Sequence, residues 1–236
     1  MQLLDLYCGA GGAAEGYHRA GFTKIVGVDI EDQPRYPYTF VRGDALAYLA
    51  EYGHLFAGIH ASPPCQKFVN LHKMRKDRTH IDHLTPTIRA LKDQRRPYVI
   101  ENVMSAPMPT TLRLCGSTFN LRVRRHRRFF TSFIIPQPAC QHARQESEGP
   151  IVGVYGNRGK SLKGPTGKDI HGGKRYRTKA QASAAMSGLD WMITREIVQA
   201  VPPVYTHYTG IYLMAHLTGN YPTIEEALHQ IIGDKP

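Results

Sequence analysis

The feature that most constrains this chain's fold lies in its first 29 residues. Gln2-Leu3-Leu4-Asp5-Leu6-Tyr7 reads as a short strand running into the glycine-rich turn Cys8-Gly9-Ala10-Gly11-Gly12. Ala13 to Ala20 then reads as a helix stopped at Gly21, and Lys24 to Val28 as a second strand ending at Asp29. Together they make a βαβ unit, which predicts an α/β protein. In such a unit the glycines let the backbone approach a ligand, and a carboxylate about twenty residues later accepts hydrogen bonds from ribose hydroxyls. The dinucleotide pattern GxGxxG is not spelled out, because its third glycine would fall at Ala14. With no lysine placed to grip phosphates, the turn suits an adenosine cofactor that carries none, and S-adenosylmethionine is the candidate. Arg42-Gly43-Asp44-Ala45 adds a second carboxylate, which either accepts a hydrogen bond from an adenine amino group or caps a helix.

A second constraint is Ala61-Ser62-Pro63-Pro64-Cys65-Gln66, where two prolines stiffen the backbone ahead of one cysteine. Leu55 to His60 reads as a strand, so Cys65 falls at a strand's carboxyl end, where open α/β sheets bind their ligands. A thiolate held there suits a nucleophile, although a cysteine taken alone is more often a buried structural residue.

At 236 residues the chain can bury a core as one domain carrying a small insertion, without help from disulfides. Its four cysteines are widely spaced, no secretory signal opens the chain, and no apolar run reaches the length of a membrane span. A reducing cytoplasm is the expected compartment. The net charge of +11 points to a polyanionic partner, with nucleic acid ahead of a membrane surface because no basic amphipathic helix is evident.

After Cys65, Lys67 to Leu84 reads as a mobile basic loop, either a solvated surface, as such charge runs usually are, or a segment placed where an enzyme closes over its substrate. Thr85 to Asp93 reads as a helix with Thr85 as its N-cap, and Pro97 to Ile100 as a strand delivering Glu101-Asn102-Val103 to the edge that holds Cys65. Leu121 to Phe130 packs five arginines into seven positions. As a strand it would send Arg125 and Arg127 to one face, and Arg124, His126 and Arg128 to the other. Pro136 to Arg177, rich in Gly, Pro, Lys and Arg, reads as an inserted segment that touches nucleic acid. Thr178 to Met186 reads as a helix, and Thr194 to Ala200 as a last core helix stopped by Pro202-Pro203. Cys115, Cys140 and His142 raise the question of zinc, but Cys-x-His is not a standard pair and the sequence shows no clear fourth ligand, so no metal is expected.

In order and residue type these pieces resemble the cytosine-C5 DNA methyltransferases, especially compact bacteriophage forms. The resemblance runs from Leu4 to about Gly210. It rests on Asp5 to Gly12 as cofactor motif, Pro64-Cys65-Gln66 and Glu101-Asn102-Val103 as catalytic motifs, Arg125-His126-Arg127 as paired arginines, and Gln199 to Pro203 as closing motif. It implies a Rossmann-like, S-adenosylmethionine-dependent methyltransferase sheet flanked by helices, with a short target-recognition insertion. Residues 1–131 and 178–210 would form the catalytic and cofactor domain, 132–177 the recognition region, and 211–236 a C-terminal extension.

The roles implied are catalysis by Cys65, Glu101, Arg125 and Arg127. Cofactor contacts would come from Tyr7, Cys8, Gly9, Gly11, Gly12, Asp29 on ribose, Ile30 on adenine, Asp44 on the adenine amino group, Ala45, Pro63, Gln199, Ala200 and Val201. DNA contacts would come from Gln66, Lys67, Arg158, Lys174 and Arg175. The partner implied is double-stranded DNA, with no obligatory protein partner, in the cytoplasm of a bacterial host or phage-infected cell. Two departures stand out: Val123 where many members have glutamine, and Val69 in place of a common serine. A transfer-RNA-modifying branch of the family and a non-catalytic DNA-binding relative are the alternatives.

Overall fold

The structure, a computed structural model, describes residues 1–64, 81–155 and 174–233, with the backbone alone at 174 and 175. A seven-stranded sheet forms its centre. In chain order its strands are β1 (Gln2–Leu6), β2 (Lys24–Asp29), β3 (Thr39–Arg42), β4 (Gly58–Ala61), β5 (Tyr98–Asn102), β6 (Leu112–Leu114) and β7 (Arg127–Thr131), and their spatial order is β3-β2-β1-β4-β5-β7-β6. β1 to β5 are parallel, while β7 runs antiparallel to both β5 and β6. The order reverses direction between β1 and β4. Ligands of doubly wound sheets bind in the crevice outside the carboxyl ends at such a switch point, which here lies between the glycine turn and the prolines before Cys65.

Helices cover both faces. Leu4, Leu6, Val28, Ile59, Ala61, Tyr98 and Ile100 face one core with α2 (Ala45–Tyr52) and α3 (Leu84–Asp93). Leu3, Ile25, Val99 and Phe129 face the other, with α1 (Gly12–Arg19) and α7 (Pro203–Thr218). Strands buried on both sides read as continuous apolar runs, and the exceptions are informative. By strand alternation and register, Asp5, His60 and Glu101 all point to the α1/α7 face, and all three are buried.

α1 and α7 touch backbone to backbone. A Cβ on Gly16 would sit 2.1 Å from the Pro203 carbonyl oxygen, and one on Gly210 would sit 2.7 Å from Ala20 Cβ. α7 corrects the sequence reading, because Pro202-Pro203 does not end the core. Pro203 occupies the first helical position, where its missing N–H costs nothing, and starts the longest described helix, with Tyr205, Tyr208 and Tyr212 fully buried. The boundary expected at 210/211 falls inside this helix, and α8 (Ile224–Ile232) follows with a Thr223–Glu226 capping box.

Two local readings also change. α3 starts at Leu84 with His83 as its N-cap, so Thr85 lies inside the first turn, and Asp82 accepts the Leu84 and Thr85 amides. The arginine-rich stretch becomes strand only at Arg127, since Arg125 has a φ of 34° that breaks extended pairing. Within the expected insertion, α4 (His142–Ser147) precedes β8 (Val152–Gly153), which pairs in parallel with β9 (Lys174–Arg175). Ile151, Val152, Val154 and Tyr176 are buried, so both described ends of that segment anchor in the domain. α5 (Lys179–Ala185), capped by Thr178, and α6 (Thr194–Gln199) lead to α7.

Candidate functional site

The glycine turn follows β1 with Tyr7, Gly9 and Gly11 all at positive φ. Gly11, left-handed, sits just before α1; a Cβ there would lie 2.7 Å from the Pro37 ring, so glycine is required on both counts. Gly9 donates its amide to Asp29 Oδ2 at 3.0 Å, and a Cβ on it would meet nothing within 4 Å. The turn is therefore braced by the carboxylate at the end of β2 and open on its outer side. Ile30, next along, is 63 % exposed. Asp44 caps α2, receiving the Leu46 and Ala47 amides on Oδ1 at 2.9 and 2.8 Å. Two carboxylates, Asp29 and Asp44, and the exposed Ile30 side chain thus line the carboxyl ends of β2 and β3, a set that fits an adenosine ligand without phosphates.

Residues that sequence reasoning did not single out hold this edge. Trp191 Nε1 donates to the Ala10 carbonyl at 2.9 Å. Arg35 forms a bidentate pair with Glu196 on α6, at 3.0 and 2.9 Å from Nε. Gly12 abuts Ala200 and Val201, where a Cβ would lie 2.7 Å from the Val201 carbonyl; the closing segment thus packs against the start of α1, while Gln199 is exposed.

Asp5 is fully buried beneath the turn. Tyr36 donates to its Oδ2 at 3.2 Å, and its Oδ1 has no partner among the described residues. Burial pushes its pKa from 3.8 up to about 8, and the nearby Asp29 charge adds to the rise. Burial, with Asp5 and Asp29 nearby, likewise pushes the Cys8 thiol up, which makes it an inert core residue. The native state thus keeps a proton on Asp5 that the unfolded chain releases above about pH 4. By linkage, stability falls as pH rises from about 4 to about 8, at up to roughly 1.4 kcal/mol per pH unit. Asp5→Asn removes that slope. In thermal melts the variant is expected to exceed wild type at pH 8 and to converge with it near pH 4; an unchanged gap across the range would refute the assignment.

Glu101 sits two strands away, 5 % exposed. Because β7 is antiparallel, its first residue, Arg127, lies at the edge where β5 ends, and its Nε is 2.8 Å from Glu101 Oε1. The two groups form a largely buried ion pair. Burial raises the Glu101 pKa, opposed in turn by Arg127, Arg125 and a hydrogen bond with Ser62. Asn102 donates to the Pro63 carbonyl at 3.0 Å, tying the end of β5 to the segment that leads into Cys65. Arg125 instead donates to the Val154 and Val198 carbonyls at 2.9 and 2.7 Å, joining β8 and α6 to the edge.

A buried polar chain reaches Glu101 from behind. Thr209 donates to the Tyr17 hydroxyl at 3.3 Å, Tyr17 lies 3.0 Å from His60 Nδ1, and His60 Nε2 lies 2.8 Å from Ser62 Oγ. Burial lowers the His60 pKa to about 3, so the ring is neutral. With Ser62 donating to an ionised Glu101, His60 must carry its proton on Nε2 and accept from Tyr17 on Nδ1. If Glu101 holds a proton, the Glu101, Ser62, His60 and Tyr17 bonds can reverse. Either charge state of Glu101 is thereby accommodated.

Cys65, Gln66, Lys67, Arg158 and the basic stretch through His80 lie outside the described residues, and of Lys174 and Arg175 only the backbone is described. No described helix is long and apolar enough to cross a membrane.

No protein-family model and no curated protein matches the sequence. Among solved structures, a protein described as a DNA modification methyltransferase encoded within an E. coli prophage is similar, with a TM-score of 0.57 at 15% identity, covering 93% of this chain and 99% of that one. S. pombe Dnmt2 methyltransferase gives a TM-score of 0.57 at 11% identity, covering 92% and 99%. At such identities the likeness is one of fold. The chain shares with both proteins a Rossmann-like α/β fold, a seven-stranded sheet flanked by helices.

Proposed function

We propose that this chain is an S-adenosylmethionine-dependent methyltransferase that modifies carbon 5 of cytosine in duplex DNA. The observation that carries the reading is the edge built by Glu101, Arg127 and Asn102: a buried carboxylate paired with an arginine, beside an asparagine linked to the prolines preceding Cys65. The likeness to a prophage-encoded DNA modification methyltransferase supports the same class of polymer, as does the charge of +11.

The cofactor supplies an electrophilic methyl group when bound. Asp29 would accept its ribose hydroxyls, Ile30 would pack on adenine, and Asp44, whose amide bonds both fall on Oδ1, would offer its other oxygen to the adenine amino group. Tyr7, Cys8, Gly9, Gly11, Gly12, Ala45, Pro63, Gln199, Ala200 and Val201 complete the proposed contacts. Carbon 5 of cytosine is a poor nucleophile. Addition of the Cys65 thiolate to carbon 6 pushes electron density onto carbon 5, splitting one hard step into two easier ones. Glu101, its pKa raised by burial, holds the proton that ring nitrogen 3 needs as the adduct forms. Arg127 holds Glu101 in place, and Arg125 braces the backbone beside it. Once the methyl group is on carbon 5, loss of the carbon-5 proton to a base lets the Cys65–carbon 6 bond break and the thiolate leave. Carbon 6 is hidden in a stacked duplex, so the target base must be flipped out. Residues 132–177, with Arg158, Lys174 and Arg175, are proposed to read the site around it, alongside Gln66 and Lys67.

The test is transfer of a tritiated methyl group from S-adenosylmethionine to duplex DNA and to RNA of matched sequence. Label confined to carbon 5 of cytosine in DNA is expected; label confined to RNA would move the substrate to the other polymer, and none on either would remove the reading. The polar chain gives a finer prediction. Ser62→Ala deletes a hydrogen bond that lowers the Glu101 pKa, so the limb of the pH profile of kcat/KM set by Glu101 is expected to move to higher pH. A shift to lower pH would contradict the role given to Ser62.

A further inference from the structure

Cys115, His126, Cys140 and His142 come from three separate segments and meet on one side of the sheet. Cys115 follows β6, His126 immediately precedes β7, and Cys140 and His142 flank the start of α4. Cys115 Sγ lies 3.3 Å from His142 Nε2, Cys140 Sγ lies 3.7 Å from His126 Nε2, and all four ligand atoms fall within 4.8 Å of one another. A tetrahedral zinc with bonds of about 2.3 Å to sulfur and 2.0–2.1 Å to nitrogen requires ligand separations of roughly 3.3–3.8 Å, so the set is within a small adjustment of that geometry. Both imidazoles turn Nε2 inward, and their rings stand edge to face at 88°. Neither thiol is in a disulfide.

From this geometry we infer that the four side chains form a structural zinc centre of the Cys2His2 class, closed to further ligands. Two thiolates and two neutral imidazoles cancel the charge of one divalent cation, and a tetrahedral set of two sulfurs and two nitrogens selects zinc over the harder divalent ions. The surroundings suit a fixed ligand set. The Ser117 hydroxyl donates to Cys115 Sγ at 3.2 Å and accepts the Gln141 amide at 3.1 Å, bracing the segments carrying three of the ligands. The centre would staple the β6–β7 connection to α4 directly beside Arg127. It stands independently of the proposed reaction, and its test measures metal rather than activity.

The test is elemental analysis of the full chain, purified without chelators or a metal-affinity step from cells given zinc, followed by X-ray absorption at the zinc edge. About one zinc per chain is expected, with two sulfur and two nitrogen neighbours at the distances above. Cys140→Ser and His142→Asn are each expected to weaken zinc binding by at least about tenfold, while Cys8→Ser retains it. Cobalt substituted into the wild-type chain should give the absorption of a tetrahedral thiolate site, a readout that does not depend on how the variants fold. Folded wild-type protein that binds less than about a tenth of an equivalent in zinc-replete buffer, or that carries a Cys115–Cys140 disulfide, would overturn the inference. So would a first shell of oxygen.

Discussion

Cys65→Ser is expected to reduce methyl transfer to below about one hundredth of wild type while leaving S-adenosylmethionine affinity within about twofold. A serine hydroxyl at neutral pH is a far weaker nucleophile than a thiol, of which a few per cent is already thiolate. The proposed cofactor edge has braces of its own among the described residues: Gly9 is braced by Asp29, Asp44 is fixed as a helix cap, and Trp191 holds the turn through Ala10. Chemistry and binding should therefore separate, which calorimetry with the cofactor and a tritium-transfer assay would measure on the same preparation. Turnover above one hundredth would exclude the covalent route, and loss of cofactor affinity would mean that the cysteine serves the fold.

The second large effect is expected at Glu101. Glutamine keeps the shape but cannot exchange a proton with the base, so Glu101→Gln should lower single-turnover rates by roughly 10²–10⁴-fold, with the protein still folded. Its neutral amide also leaves the Arg127 guanidinium, 16 % exposed at the side chain, without its ion-pair partner, so some stability should be lost as well. The separating control is Arg127→Lys, which retains a positive charge near Glu101 but loses the planar fork and should fall between the variant and wild type. A Glu101→Gln rate within about threefold of wild type would refute proton transfer by this residue.

What the sequence made legible followed from local chemistry. The βαβ opening, the turn glycines, the strand-end positions of Asp29 and Glu101 and the capped α5 each rest on signals contained within a few residues. What it hid was long-range. Asp5, His60 and Tyr17 read as ordinary members of a strand or a helix, and only the register that turns Asp5, His60 and Glu101 to one face makes them a buried polar set. Pro202-Pro203 carries a stop signal and a start signal at once, and burial of α7 on nearly every side decides for the start. Strand alternation would put Arg125 and Arg127 on one face, but the positive φ at Arg125 breaks the strand there and the two guanidinia meet different partners. In the sequence His126 is only a neighbour of arginines, and its approach to Cys140 depends on how β6, β7 and α4 pack.

The most direct measurement of the central claim is covalent capture on duplex DNA in which 5-fluorocytosine replaces cytosine. Fluorine cannot leave carbon 5 as a proton does, so after methyl transfer the bond between Cys65 and carbon 6 persists. The account predicts a protein–DNA complex that survives denaturing electrophoresis, forms only with S-adenosylmethionine, and maps by peptide mass to Cys65. Folded protein that binds the cofactor but forms no such complex, or forms it equally well after Cys65→Ser, would contradict the account.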